Sequence, residues 1–104
     1  MTTELYEQQA HEAAKLLQAM AHPKRLLLLT ALSDRQLSAG RLAAAVGLPP
    51  GVVYKHLHKL VEAGILHPSA KSAGVCFSVA SPEIAFKLIE IQAVLAAQIS
   101  GNVA

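Results

Sequence analysis

Between Val53 and Val61 the apolar residues return at helical spacing, and this pattern constrains the fold more than any other feature of the chain. At about 100° per residue, Val53, Leu57, Leu60 and Val61 fall on one side of a helix. Gly51, Lys55, His58, Lys59 and Glu62 fall opposite, with Val52 at their edge. A buried stripe therefore holds the helix while its outer face carries two lysines and a histidine. Pro49-Pro50 can open it, since proline suits a first helical turn, and Gly64 can close it, giving a span of Gly51 to Ala63.

The rest of the chain reads around that helix. Glu4 to Met20 is expected to be a helix, with Leu5, Ala13, Leu16, Leu17 and Met20 on one stripe. His22 reads as a capping residue, and Pro23 opens a second helix to Leu32. Ser38 is a good N-cap for a short third helix, Ala39 to Val46, which Gly47 ends. Ile65 to His67 and Val75 to Val79 read as strands, with Pro68 to Gly74 a small-residue loop between them. Ser81-Pro82-Glu83 caps a last helix from Pro82 to about Ile99. The expected order is α-α-α-α-β-β-α, mostly helical with a two-stranded β wing. A short helix, the Gly47-Leu48-Pro49-Pro50 turn and the basic helix together have the layout of a helix-turn-helix, whose second helix enters the major groove of DNA. The hairpin is the candidate wing, with Lys71 at its tip within reach of phosphate.

Composition narrows the alternatives. The chain has 104 residues and is read as one domain, 1–104. Its apolar fraction is 53%, too high for a disordered tail, yet its aromatic residues are only Tyr6, Tyr54, Phe77 and Phe86. A core of Leu, Ala, Val and Ile suits packed helices better than a β-sandwich. No run of eighteen apolar residues suggests a membrane span, and no secretion signal is read at Met1 to Glu7, so a cytoplasmic location is expected. Cys76 is the single cysteine, which excludes an intrachain disulfide framework and a Cys-x-x-Cys metal site. The net charge of +2 hides its distribution. Lys24, Arg25, Arg35, Arg41, Lys55, Lys59 and Lys71 face only Asp34 and Glu62 in the middle of the chain, while both ends are mildly acidic. A basic middle suits a polyanionic partner, or is an ordinary solvated surface.

Over roughly Ala14 to Ile91 the chain resembles the ArsR/SmtB family of winged-helix repressors. Three segments carry the resemblance: Leu17-Gln18-Ala19-Met20-Ala21-His22-Pro23-Lys24-Arg25-Leu26, Leu37-Ser38-Ala39-Gly40-Arg41-Leu42-Ala43-Ala44-Ala45-Val46-Gly47-Leu48, and Val53-Tyr54-Lys55-His56-Leu57-His58-Lys59-Leu60-Val61-Glu62-Ala63-Gly64-Ile65-Leu66. The resemblance implies a homodimeric repressor that binds an inverted repeat in double-stranded DNA, is released by an inducer, and dimerises through its first and last helices. The residues agree on the dimer. Ile84, Leu88, Ile91 and Leu95 make a 4-3-4 seam, with Ala85, Ile89, Ala96 and Ile99 in a second stripe beside it. A terminal helix apolar on two faces needs more than its own small domain to cover it. Leu5 and Leu16 of the first helix join the expected interface. A two-fold dimer would set two reading helices about 34 Å apart.

On this reading Tyr54, Lys55 and His58 meet base edges, and Val52 offers a methyl contact. Ser38, Arg41, Lys59 and Lys71 position the phosphates. The chain departs from the family where small hydroxyl or amide residues usually begin the reading helix: Pro49, Pro50, Gly51 and Val52 stand there. Tyr54 stands where the family often has Ser, and Val75 where its wing often has Arg. The third-helix thiolate site of the family has no cysteine between Leu37 and Leu42, and its last-helix site finds only Glu83 and Glu90, so no metal or other cofactor is expected. His56 and His58 lie about 200° apart and cannot share an ion. Glu7 and His11, with Glu12, read as a solvated face or as ligands.

Cys76 alternates to the face opposite Val75, Phe77 and Val79. A solvated thiol there would be open to oxidation or modification; a small half-buried residue is the alternative. The inducer is a thiol-reactive or small apolar molecule, an atypical metal, or none. No nucleophile–base grouping or phosphate loop points to an enzyme. The other class of function is a dimeric winged-helix scaffold for a protein partner, which the Pro49-Pro50-Gly51-Val52 departure would suit.

Overall fold

The computed structural model describes residues 2–72 and 74–103. Its elements are α1 (Thr3–Met20), α2 (Pro23–Ala31), β1 (Leu37–Ser38), α3 (Ala39–Val46), α4 (Pro50–Glu62), β2 (Leu66–Lys71), β3 (Gly74–Val79) and α5 (Pro82–Val103).

Local chemistry sets most of these boundaries. Thr2 caps α1 by accepting the Leu5 N–H. His22 caps α2 in the same way, its Nδ1 accepting the Lys24 N–H at 3.1 Å, with Pro23 in the first helical turn. The Ser38 Oγ accepts the Arg41 N–H at 3.2 Å and starts α3. Gly47, at φ 69°, ends it, and its N–H returns to the Ala43 carbonyl. Pro49 gives α4 no side-chain cap, so Pro50 supplies the helical φ instead. At the other end Gly64 takes φ 77°, and the Ile65 N–H reaches back to the Leu60 carbonyl at 2.9 Å. That reversal drops Ile65 into the core.

The core is aliphatic. Leu28 and Leu32, from α2 and its C-cap, meet Leu42 of α3, Val53, Leu57 and Leu60 of α4, and Ile65; all are fully buried. Phe77 is the buried aromatic among the described residues. No helix of the described residues is long and apolar enough to cross a membrane.

The sheet is larger than the two strands read from the sequence. It has three antiparallel strands in the order β1-β3-β2, with Leu37 opposite Phe77 and Ser38 opposite Cys76. The expected loop from Pro68 is mostly strand: β2 continues to Lys71 and pairs Pro68 with Phe77 and Lys71 with Gly74. Proline is tolerated because β2 is an edge strand, where a missing N–H need not interrupt a ladder. Ala73, part of that expected loop, lies outside the described residues.

Candidate nucleic-acid interface

The α3–turn–α4 unit has one face in the core and one in solvent. Leu42 and Ala43 anchor α3, and Val53, Leu57 and Leu60 anchor α4. The Leu48 N–H bonds the Ala43 carbonyl at 3.1 Å, holding the turn against α3. With α4 pinned along that stripe, Tyr54, Lys55, His58 and Lys59 are exposed and Val52 is half-buried at the flank. Tyr54 stands 60% exposed, far beyond what a packing role would leave open to water.

The positions expected at phosphates fall around this face. Arg41 is exposed in the first turn of α3, and Lys71 is exposed at the end of β2. Ser38 is half-buried, its oxygen engaged in capping α3 while its hydroxyl proton stays free to donate. Among the described residues, the ion pairs are Lys15–Glu12, Arg35–Asp34, His58–Glu62 and Lys87–Glu90. Arg41, Lys55, Lys59 and Lys71 appear in none of these, so their charge is available to a polyanion.

Two features of α4 were missed. His58 Nε2 lies 2.6 Å from Glu62 Oε1, so a carboxylate engages the ring expected to meet bases. The i,i+4 spacing was the visible signal for that contact. On the opposite flank, His56 accepts a hydrogen bond from Arg25, a contact between residues 31 apart that no local pattern announces.

Cys76 is half-buried on β3, between Ser38 of β1 and Ser69 of β2 in register. Phe77 turns into the core as alternation requires, whereas Val75, expected on the same face, is about half exposed toward the hairpin tip. Among the described residues no group of three or more His, Cys, Asp and Glu could hold a metal ion.

The residues expected to dimerise divide in two. Leu16, Ile84 and Leu88 are half-buried against the chain's own core. Leu5, Ile91 and Leu95 are exposed, together with Leu17, Phe86, Ile89, Val94 and Ile99. An open groove of about 810 Å³ runs between the end of α1, Ser33-Asp34 and the start of α5, walled by Leu17, Met20, Phe86 and Ile89.

Comparison with known proteins fits this geometry. The model of a family described as a helix-turn-helix domain matches residues 20–68. The HTH-type transcriptional regulator YgaV of Escherichia coli is 38% identical over 80 residues, 74% of this chain and 81% of that protein. The biofilm growth-associated repressor of Xylella fastidiosa is 36% identical over 66 residues, 64% of this chain but 58% of that protein. In structure, the homodimeric winged helix-turn-helix domain Mb0332 of Mycobacterium bovis, titled a possible ArsR-family regulator, superposes with a TM-score of 0.83. That match covers 96% of this chain and 93% of the other at 17% identity, a likeness of fold.

Proposed function

The chain belongs to the HTH-type transcriptional regulators, as its resemblance to the ArsR/SmtB winged-helix proteins implied, and from that premise we propose that it is a repressor binding an inverted-repeat operator in double-stranded DNA as a homodimer. One observation carries the reading: α4 is fixed by fully buried Val53 and Leu60 while Tyr54, Lys55, His58 and Lys59 project from the opposite side. In this reading α4 enters the major groove, Tyr54, Lys55 and His58 face base edges, and Val52 lies beside them for methyl contact. Arg41, Lys59, Lys71 and the Ser38 hydroxyl take phosphates and set the register.

The dimer is supported by what α5 leaves uncovered. Ile91, Val94, Leu95 and Ile99 are each more than half exposed on one helix, and Leu5, Tyr6 and Leu17 add to the apolar surface of α1. A second copy related by a two-fold axis covers both helices at once.

The test is binding of the purified protein to a labelled duplex from immediately upstream of its own gene, against a scrambled duplex of equal length, across a salt titration. Sub-micromolar, sequence-selective binding that weakens with salt supports the repressor. Salt-dependent binding without selectivity, or none, would favour the scaffold, for which the hydroxyl-free Pro49-Pro50-Gly51-Val52 start of α4 is the motivating feature.

A further inference from the structure

Where α1 ends and α2 begins, one guanidinium touches two other helices. Arg25 Nη1 donates to the Ala19 carbonyl in the last turn of α1 at 2.9 Å. Its Nε donates to His56 Nδ1 on α4 at 3.2 Å. Arg25 thus ties the helix carrying the basic outer face to the end of the helix that opens the chain. His22 packs on His56, the ring centroids 4.5 Å apart and the planes inclined by 51°. His22 is also engaged through Nδ1, which accepts the Lys24 N–H that begins α2.

Both rings therefore use the same lone pair. An imidazole accepts at Nδ1 only when that nitrogen carries no proton. Protonating His56 turns its Nδ1 into a donor facing the Arg25 donor, and protonating His22 removes the cap of α2. The charged and titratable groups around His56 all disfavour its cation: His22 from the α1–α2 junction, Arg25 and Lys24 from α2, and Lys55 from α4. Burial, the largest influence, acts in the same direction, so the pKa of His56 lies below its usual 6.5.

We propose that Arg25 and His56, with His22 packed on the His56 ring, form a proton-sensitive clamp in which Arg25 is a positioning residue, fixing α4 against the end of α1 while the His56 imidazole is neutral. The proposal rests on the reading of α4 as the DNA-contacting helix. The sign follows from linkage. The folded state disfavours protonated His56, so the clamp is intact above pH 6.5 and is lost as pH falls through the lowered folded value. Simple electrostatics gives DNA binding the opposite trend, because protonating histidines on a basic protein tightens its grip on a polyanion. The two effects are therefore separable by direction.

The experiment compares the unaltered protein with His56→Asn, whose amide oxygen can stand near the place of Nδ1 and accept from Arg25 but cannot be protonated. Affinity for the upstream duplex is read by fluorescence anisotropy at about pH 7.5 and about pH 5.5, at constant ionic strength. The unaltered protein is expected to lose affinity relative to His56→Asn as pH falls over that interval, by up to about tenfold at full protonation, the effect of one charge-assisted hydrogen bond. Parallel pH profiles, or greater acid tightening in the unaltered protein, overturn the positioning role. A second arm needs no DNA. The His56 ring protons of the free protein, followed by NMR, are expected to titrate below pH 6.5 and to move upward in Arg25→Gln. An ordinary midpoint, unmoved by that substitution, overturns the clamp. Absence of DNA binding at about pH 7.5 alongside the expected NMR shift instead sinks the DNA reading and the positioning role with it. In that case the NMR arm still establishes the tie itself.

Discussion

Helices α4 and α5 place their apolar residues in opposite ways. In α4 these residues form a narrow stripe, and Val53, Leu57 and Leu60 are buried within the same chain. In α5 they occur around most of the helix. Ala85 is buried and Ile84 and Leu88 are half-buried, but from Ile89 to the end of the described side chains every residue is exposed except half-buried Gln92. Gln92 donates to Thr30 Oγ1 at 3.3 Å, a last tie to α2 before the helix leaves the body. A stripe closes a helix onto its own core and frees the other face for polar contacts; an all-round apolar helix needs a second surface. The first pattern suits reading a polyanion and the second suits self-association.

Truncating one large apolar residue on each helix separates the two patterns. Leu57→Ala removes a fully buried side chain and should destabilise the fold by about 2–5 kcal/mol, independently of protein concentration. Leu95 is 52% exposed, so Leu95→Ala should cost the isolated chain almost nothing and act only through assembly. Urea unfolding at two protein concentrations separates the cases. Equal, concentration-independent losses would mean that α5 is covered by its own chain after all.

The next largest effect tests assembly directly. Ile91→Glu combined with Leu95→Glu places two carboxylates on the exposed face of α5. If the proposed dimer is right, the protein becomes monomeric by light scattering and loses most of its affinity for the upstream duplex, because a monomer could hold only one half-site. Retention of a dimer would locate the interface elsewhere.

Legibility in the sequence followed the same division. The α4 stripe, the Ser38 cap and the Gly47 stop were readable because each is a local rule, and all stand where expected. β1 was not readable, since two residues are too short to show alternation and their partner strand lies far along the chain. Pro68 misled because proline signals a loop unless the strand is known to be an edge, which only topology reveals. In the candidate site, exposed Tyr54, Lys55 and Lys59 followed from periodicity alone. The Arg25–His56 contact did not, because nothing in either segment refers to the other. The apolar excess of α5 was legible, but its division was not: packing of Ile84 and Leu88 on the core depends on where α1 and α2 end.

A smaller effect distinguishes base reading from charge alone on α4. Lys55→Ala should cost about 1–3 kcal/mol on the operator and less on a scrambled duplex, narrowing the ratio between them. Equal losses on both duplexes would reassign Lys55 to phosphate.

Two exposed lysines, Lys71 on β2 and Lys87 on α5, differ in their partners. Lys71 is exposed at the end of β2 and belongs to none of the ion pairs among the described residues, so DNA phosphate need not displace a carboxylate to engage it. Each phosphate neutralised releases counterions, and losing one contact should lower the slope of log affinity against log salt by about 1. Lys71→Ala should therefore weaken operator and scrambled duplex alike, leaving their ratio unchanged. Lys87 is also exposed but sits 3.5 Å from Glu90 on α5, within the region proposed for self-association. Lys87→Ala should leave the salt slope where it was. If Lys87→Ala changed the slope and Lys71→Ala did not, the polyanion would lie along α5, and the two helices would have to exchange roles.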